Sequence, residues 1–371
     1  MNKNKKIAHV TSVHRLNDAR IFHKECKSLA ENGYKVTLVG FGEPPEFKDI
    51  PKLNAISLGP SFKSRKKRLF EGSKKLKQYV IENEFDLVHF HDPELLPFLT
   101  SLKKYNIKTV FDIHEDLPGQ IEDKAYIPTA IRKPLATFVK LAENRYVKKC
   151  SGIIAATPYI QSLFTRLNSN IETARNFPLI SEFEKFESTS LPKNRICYIG
   201  GITAVRGVIE LLDALVLLNG KIVLDLAGPI DSIDLQNRME AHQGWKHVKY
   251  HGMLERNKVS ELLAHSSLGM VTLHPNGNYV NSIPVKMFEY LISGMYVIAS
   301  NFNYWKTLTK EVEGVSFVDP LDAKAIAESI EKNLKEINFK NNKGREFVLE
   351  NLTWQNEEKA LFKLYDKIFA S

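Results

Sequence analysis

Short apolar runs alternate along this chain with longer segments whose apolar positions recur every three or four residues. In the first half, Ile7 to Val13, Lys35 to Gly40, Leu87 to Phe90, Lys108 to Ile113 and Gly152 to Ala155 read as strands buried on both faces. The stretches between them are long enough for the helical crossovers that parallel pairing requires. Ile21 to Asn32 carries Phe22, Cys26, Leu29 and Ala30 on one face and stops at Gly33, while Pro93 to Tyr105 and Pro134 to Lys149 behave similarly.

Between Asn176 and Lys193 the pattern lapses into Pro178, Glu182, Glu184, Glu187, Ser188, Thr189, Ser190 and Pro192, the polarity of a linker. A second alternation follows through Ile196 to Ile199, Ile222 to Ala227, Val248 to His251, Leu268 to Leu273, Tyr296 to Ala299 and Val315 to Val318. The predicted fold is therefore α/β, with two Rossmann-like, doubly wound parallel-sheet domains. Their spans are 1–185 and 186–353, and the last helix, about 354–371, packs back on the first. The length of 371 residues agrees, because single cores stop growing near ~250–300 residues. Ligands of open α/β sheets collect beyond the carboxyl ends of the strands, so chemistry is expected in strand-to-helix loops facing an interdomain cleft.

Composition narrows the class. With 43% hydrophobic and 26% charged residues the chain is an ordinary globular protein. Cys26, Cys150 and Cys197 lie far apart without a CxxC pair, so neither a disulfide framework nor a zinc site is expected, and a reducing, cytoplasmic setting fits. The N-terminus lacks a signal-peptide core, and no apolar run approaches the ~20 residues of a membrane-spanning helix. The net charge of +9 is concentrated between Phe62 and Lys77, where Lys63, Arg65, Lys66, Lys67, Arg68, Lys74, Lys75 and Lys77 face only Glu71. Leu69, Ser73, Leu76 and Val80 share one side of this segment, which leaves two readings of 62–80: a solvated face or a surface for an anionic membrane. Interleaved aromatics and reader motifs for nucleic acid are missing.

Two loops carry candidate chemistry. After the strand ending at Ile199 come Gly200, Gly201 and Arg206-Gly207, followed by a helix from Val208. Paired glycines let backbone N–H groups approach a phosphate, and the helix N-terminus and the guanidinium add positive charge; the same glycines also serve simple turns. Asn281 or Ser282 is placed to cap a helix beginning near Pro284 and closed by Gly294. On it Phe288, Leu291 and Ile292 point to the core, whereas Lys286, Glu289 and Tyr290 share another side. That side is either a surface Lys–Glu pair or a carboxylate for ribose hydroxyls beside an ammonium for phosphate.

In combination, the Gly-Gly loop, Arg206-Gly207, Leu226-Ala227-Gly228-Pro229, Tyr250-His251-Gly252 and Pro284-x-Lys286-x-Phe288-Glu289-Tyr290 resemble the retaining glycosyltransferases of family 4, which have the GT-B fold. The run from His14 to Phe22, His89-Phe90-His91-Asp92-Pro93-Glu94 and Phe111-Asp112-Ile113-His114-Glu115 are similar to a bacterial cell-surface-polysaccharide branch of that family. The resemblance implies that Glu289 holds the donor ribose, Arg206 and Lys286 neutralise the diphosphate, His114 lies beside the reacting sugar, and Gly252 and Met253 lie near the base. Gly200, Gly201, Asn281 and Ser282 complete the donor side, and His14, Asp18 and His91 face the acceptor. Three departures stand out: Asn281 replaces the first glutamate of an E-x7-E pattern, Gly201 replaces the usual arginine of the Gly loop, and His14, Asn17, Asp18 and Arg20 stand in place of a glycine-rich first loop.

The implied donor is a UDP- or GDP-sugar and the implied acceptor a glycan or polyprenyl-linked molecule. No D-x-D motif occurs, so no cofactor and no metal are expected and the cationic side chains take the metal's place. A non-hydrolysing sugar-nucleotide 2-epimerase and a non-catalytic basic binding protein are the alternative functions.

Overall fold

In this computed structural model, residues 4–46, 50–123, 127–183, 194–337 and 339–370 are described. The chain forms two compact units, one of Met1–Asn176 with Trp354–Ser371, the other Phe177–Thr353. The division thus falls at Asn176, earlier than the expected 185. The reason is Phe177, fully buried in the second unit with its ring edge-on to Phe288 at 4.9 Å. Residues 184–193 of the expected linker lie outside the described residues.

The first unit holds β1 (Lys6–Val10), β2 (Lys35–Gly40), β3 (Leu53–Ser57), β4 (Leu87–Phe90), β5 (Lys108–Ile113), β6 (Gly152–Ala155) and β7 (Ile171–Thr173). All pair in parallel, in the order β3-β2-β1-β4-β5-β6-β7. The outermost two, β3 and β7, were not among the predicted strands. The second unit holds β8 (Arg195–Ile199), β9 (Val223–Ala227), β10 (Val248–Tyr250), β11 (Leu268–Val271), β12 (Tyr296–Ser300) and β13 (Val315–Val318), in the parallel order β10-β9-β8-β11-β12-β13. In both sheets the order reverses beside the first strand, between β1 and β4 and between β8 and β11, so loops leaving these neighbours part company and open a crevice.

The crossovers are less regular than their periodicity implied. The segment from Ile21 begins as a π-helical turn, Ile21–Cys26, and continues as the α-helix Lys27–Glu31. That from Pro93 is 3₁₀ over Pro93–Phe98, where Pro97 has no N–H to donate, then α over Leu99–Leu102 and 3₁₀ over Lys103–Tyr105. The helix expected from Pro134 starts earlier and spans Thr129–Val147.

Alternate residues of β1, β4 and β5 face opposite layers. Ala8, Val10, Val88, Phe90 and Phe111 join one apolar core with Leu76, Val80, Leu95 and Val147. The other face is covered partly by the final helix, Trp354–Ala370, which buries Trp354, Leu361, Leu364, Tyr365 and Ile368. Its approach is close: a Cβ on Gly152 would stand 2.7 Å from Ile368 Cδ1. The Trp354 indole donates to Ser28 Oγ at 2.8 Å, and Glu357 accepts from the Arg175 backbone N–H and guanidinium, both at 2.7 Å.

Because Trp354 is fully buried and anchors the start of this helix, Trp354→Ala should cost about 3–5 kcal/mol. Urea unfolding monitored on the first unit's signal checks this; a loss below about 1 kcal/mol would show that the helix is an accessory.

Candidate active site

In the second unit the crevice lies beyond β8 and β11. Gly200 has φ +145°, a conformation open to glycine, and its N–H donates to Ala227 O at 2.9 Å. Its carbonyl occupies the space that a Cβ on Gly228 would need, so both glycines are required for the approach. Arg206 folds back over the loop, donating from Nη1 to Gly201 O at 3.0 Å. A Cβ on Gly200 would lie 3.6 Å from Arg206 Nη1 and 3.9 Å from Lys286 Cε, so both cations reach the glycine loop. Burial opposes the charge on Arg206, yet Tyr279 and Tyr198 outweigh it and raise its pKa.

Lys286 and Glu289 lie on the helix Val285–Ile292 with Lys286 Nζ 2.6 Å from Glu289 Oε2, and their side chains are 41% and 13% exposed. The ammonium is therefore available to a ligand and the carboxylate only at its edge. Tyr290 corrects the sequence reading. Instead of sharing their side it is buried over Gly269, and its hydroxyl accepts the Ile199 N–H at 2.9 Å. It pins the helix to the end of β8 and so fixes where Lys286 and Glu289 stand. Neither Asn281 nor Ser282 caps this helix: Asn281 closes the short helix Gly277–Val280, and Ser282 Oγ donates to Tyr279 O at 3.0 Å. The preceding turn takes the Ser282 hydroxyl instead. Gly252, at φ +64°, accepts the Gly228 N–H at 2.7 Å, and Met253 beside it is 73% exposed.

Sequence reasoning missed a further group. Thr203 Oγ1, Arg206 Nε and Thr272 Oγ1 are buried here without a hydrogen bond, beside Glu210 Oε2 and His274 Nε2, which face each other at 3.1 Å. Buried polar atoms are normally satisfied, so this concentration marks a place prepared for a polar ligand. No signal at His274, Thr272 or Glu210 betrays this, because β8 and β11 adjoin only through the sheet's crossover.

In the first unit a cavity of about 310 Å³ opens beyond β4 and β5, lined by His14, Arg65, Arg68, His91, His114 and Glu143 among others. His114 Nε2 stands 2.6 Å from Asp112 Oδ2, whose carboxylate also receives Arg20 Nε and Nη2, each at 2.8 Å. Burial works against the Asp112 charge, but Arg20 and then His114 hold its pKa well below the usual carboxylate range. His14 Nδ1 lies 3.0 Å from Asp92 Oδ1, and the His14 and His114 rings are 5.2 Å apart. Asp92 Oδ2 accepts from Thr11 Oγ1 at 2.8 Å and the Ser12 N–H at 2.6 Å, so its pKa drops to about 2 despite burial, with His14 the strongest counterweight.

Of the expected acceptor-side residues, His14 and His91 line this cavity, although His91 is 2% exposed and lies beneath it. Asp18 does not. Its Oδ1 takes the N–H groups of Arg20 and Ile21 at 2.9 and 3.0 Å, which makes it the anchor of the turn at Ile21. The basic segment also reads differently: Arg68 turns inward to a two-pronged pair with Glu94 at 2.8 and 3.0 Å. Lys63, Lys66, Lys67, Lys74 and Lys75 remain exposed.

Comparison with known proteins settles the family. The profile of Glycosyltransferase Family 4 matches residues 19–177, and that of Glycosyl transferases group 1 matches residues 180–346. The chain belongs to the family-4, group-1 glycosyltransferases. No sequence among curated proteins matches this glycosyltransferase. Its fold is GT-B, shared with solved structures along essentially the whole chain. Sucrose-phosphate synthase from Thermosynechococcus elongatus superposes with a TM-score of 0.75 at 16% identity, covering 99% of this chain and 100% of that one. A glycosyltransferase from Rickettsia africae gives 0.72 at 15% identity, covering 100% and 99%. Anabaena HepE in complex with UDP and glucose gives 0.72 at 13% identity, covering 98% and 100%.

Glu143 of the glycosyltransferase was also missed, since a lone glutamate on an amphipathic helix carries no signal. Burial, and then Asp116, raise its pKa from 4.5 to about 7. The native state thus keeps a proton that the unfolded chain has already released, so this contribution to stability is present below pH 4.5 and lost as pH rises through about 7. Between pH 5 and 8 the wild type should lose on the order of 3 kcal/mol relative to Glu143→Gln. Parallel stability profiles of the two proteins over that range would contradict the assignment.

Proposed function

We propose that this glycosyltransferase moves a sugar, with retention of anomeric configuration, from a UDP- or GDP-sugar to a glycan or polyprenyl-linked acceptor in bacterial cell-surface polysaccharide synthesis. The observation that carries the donor side is the convergence of Arg206 and Lys286 on Gly200, beside unsatisfied buried polar atoms and next to Glu289. A nucleoside diphosphate suits this set: backbone at Gly200 and Gly201 can approach its oxygens, the two cations balance its charge, and Glu289 can accept from ribose hydroxyls. The structures of Anabaena HepE with UDP, with UDP-glucose and with UDP and glucose support such a donor. Gly252 and Met253 border the base, and Asn281 and Ser282 supply polar atoms toward the sugar.

In this reading the acceptor oxygen attacks the anomeric carbon from the face that the diphosphate leaves. The C–O bond to phosphate breaks as the glycosidic bond forms, and the acceptor proton passes to the departing phosphate oxygen. Negative charge grows on that phosphate, so prepositioned cations lower the barrier without a metal ion at this site. His114, oriented by Asp112, is placed in the N-terminal cavity to hold sugar hydroxyls, with His14 and His91 around the acceptor.

A lipid-linked acceptor is supported by two exposed features of the first unit. One is the lysine row over 62–80, and the other is the stripe of Ile131, Leu135, Phe138 and Leu141 on the helix Thr129–Val147. Basic and apolar surface together is the chemistry of a protein resting on an anionic bilayer, here the inner face of the cell membrane. Among the described residues no helix is long and apolar enough to cross one.

Arg206→Ala should lower the transfer rate by about 10²–10³, and Glu289→Ala should abolish thermal stabilisation by the donor while circular dichroism stays unchanged. Transfer assays over a panel of UDP- and GDP-sugars check this, and full activity in either variant overturns the site. Acceptor-independent conversion of the donor would point to an epimerase instead. For the membrane reading, replacing Lys66, Lys67, Lys74 and Lys75 by glutamine should weaken sedimentation with phosphatidylglycerol vesicles at least tenfold, and unchanged binding removes the idea.

A further inference from the structure

Parallel pairing of β1 with β4 puts His9 opposite His89, and the two-residue strand period returns His91 to the same face. Glu25, from the π-helical turn Ile21–Cys26, comes down onto these imidazoles. The four side chains offer ligand atoms within 4.8 Å of one another, and none of the residues is more than 2% exposed. His9 Nδ1 stands 2.9 Å from His91 Nε2 and 4.0 Å from Glu25 Oε2, which lies 3.9 Å from His89 Nε2. A tetrahedral ion with bonds of about 2.0–2.1 Å separates its ligands by roughly 3.4 Å, a value inside that spread.

What surrounds the cluster is as telling as its spacing. His89 Nε2 and Glu25 Oε2 are buried at the centre of the cluster and make no hydrogen bond, while His9 Nδ1 and His91 Nε2 share one at 2.9 Å that an ion between them would replace. Behind them stand partners of the kind that orient metal ligands. Tyr365 Oη is 2.8 Å from His89 Nδ1, Asp112 Oδ2 is 3.3 Å from His91 Nδ1, and Arg20 Nε is 3.1 Å from Glu25 Oε1.

We propose that His9, Glu25, His89 and His91 bind a zinc-class divalent ion. Three imidazoles and one carboxylate without a thiolate suit that class, and a closed set of four protein ligands is the hallmark of a structural site. The ion clips β1 and β4 to the helical turn above them. Through His91 and Asp112 it also steadies His114 at the cavity. The sequence reading expected no metal because it found neither a D-x-D motif nor a CxxC pair; these ligands follow no such motif, and two strands and one turn bring them together. The site is separate from the proposed diphosphate pocket, so its test does not depend on transfer.

The full chain, produced without a histidine tag in zinc-supplemented medium, should carry close to one zinc per molecule by plasma mass spectrometry. Stripping with a chelator should lower its melting temperature, which ZnCl₂ but not MgCl₂ restores. CoCl₂ added to the stripped chain should give the intense visible bands of tetrahedral cobalt. Both His89→Asn and Glu25→Gln should bind at least tenfold less metal, whereas His265→Asn, on an exposed side chain, should leave the stoichiometry unchanged. Absence of stoichiometric zinc together with absence of tetrahedral cobalt bands in the wild type overturns the proposal. So does persistence of those bands in His89→Asn and Glu25→Gln; if these variants fail to fold, the wild-type cobalt titration alone decides.

Discussion

In each sheet the strand order reverses at the centre, where β1 lies between β2 and β4 and β8 lies between β9 and β11. Chain leaving the first strand turns one way and chain leaving its far-side neighbour turns the other, so side chains must fill the gap. In the first unit Asp92, just beyond β4, closes it by taking Thr11 Oγ1 and the Ser12 N–H beyond β1. In the second, Arg206 folds onto Gly201 while the Thr272 carbonyl, beyond β11, presses on Gly207, leaving no room for a Cβ there. One topological constraint therefore sets the position of both candidate sites, and the residues at the gaps decide what each can bind.

The two gaps are filled by different electrostatics. Beyond β8 and β11 a guanidinium and an ammonium meet the glycine loop, and several buried polar atoms remain unsatisfied. Such a site has its desolvation cost already met by the fold, so an incoming anion finds fixed donors that need no rearrangement. The first unit has instead closed much of its charge on itself, with Asp112 held between Arg20 and His114. Buried pairs of this kind add little net stability over apolar packing, but removing one partner costs about 3–5 kcal/mol. Their product is orientation: His114 cannot turn without abandoning the Asp112 carboxylate.

Much of this architecture was legible in the pattern of apolar runs, since central strands buried on both faces announce themselves. The edge strands did not, because Leu53-Asn54-Ala55-Ile56-Ser57 and Ile171-Glu172-Thr173 are half polar and short. Arg206, Lys286 and Glu289 were legible as a motif, whereas Tyr290 was not. Its helical angle lies close to that of Lys286, and only the missing side chain of Gly269 lets the ring turn into the core. The histidine network was invisible for a deeper reason. His9 and His89 lie far apart in sequence, and their meeting depends on the register of β1 against β4, which no periodicity reports.

The unequal burial of the two cations bears on how the proposed donor pocket works. Arg206 is tied to Gly201 and hemmed by Tyr198 and Tyr279, so its charge is held in one place before any ligand arrives. Lys286 is substantially exposed and rests on Glu289, a pairing that a ligand must loosen to draw the ammonium toward a phosphate. The carboxylate is only 13% exposed, so the exchange is favourable only if the ligand replaces the ammonium as its partner. Releasing Lys286 also frees the Glu289 carboxylate to accept ribose hydroxyls. Phosphate and ribose therefore reinforce one another at this helix: each removes the competitor that the other's partner would otherwise keep.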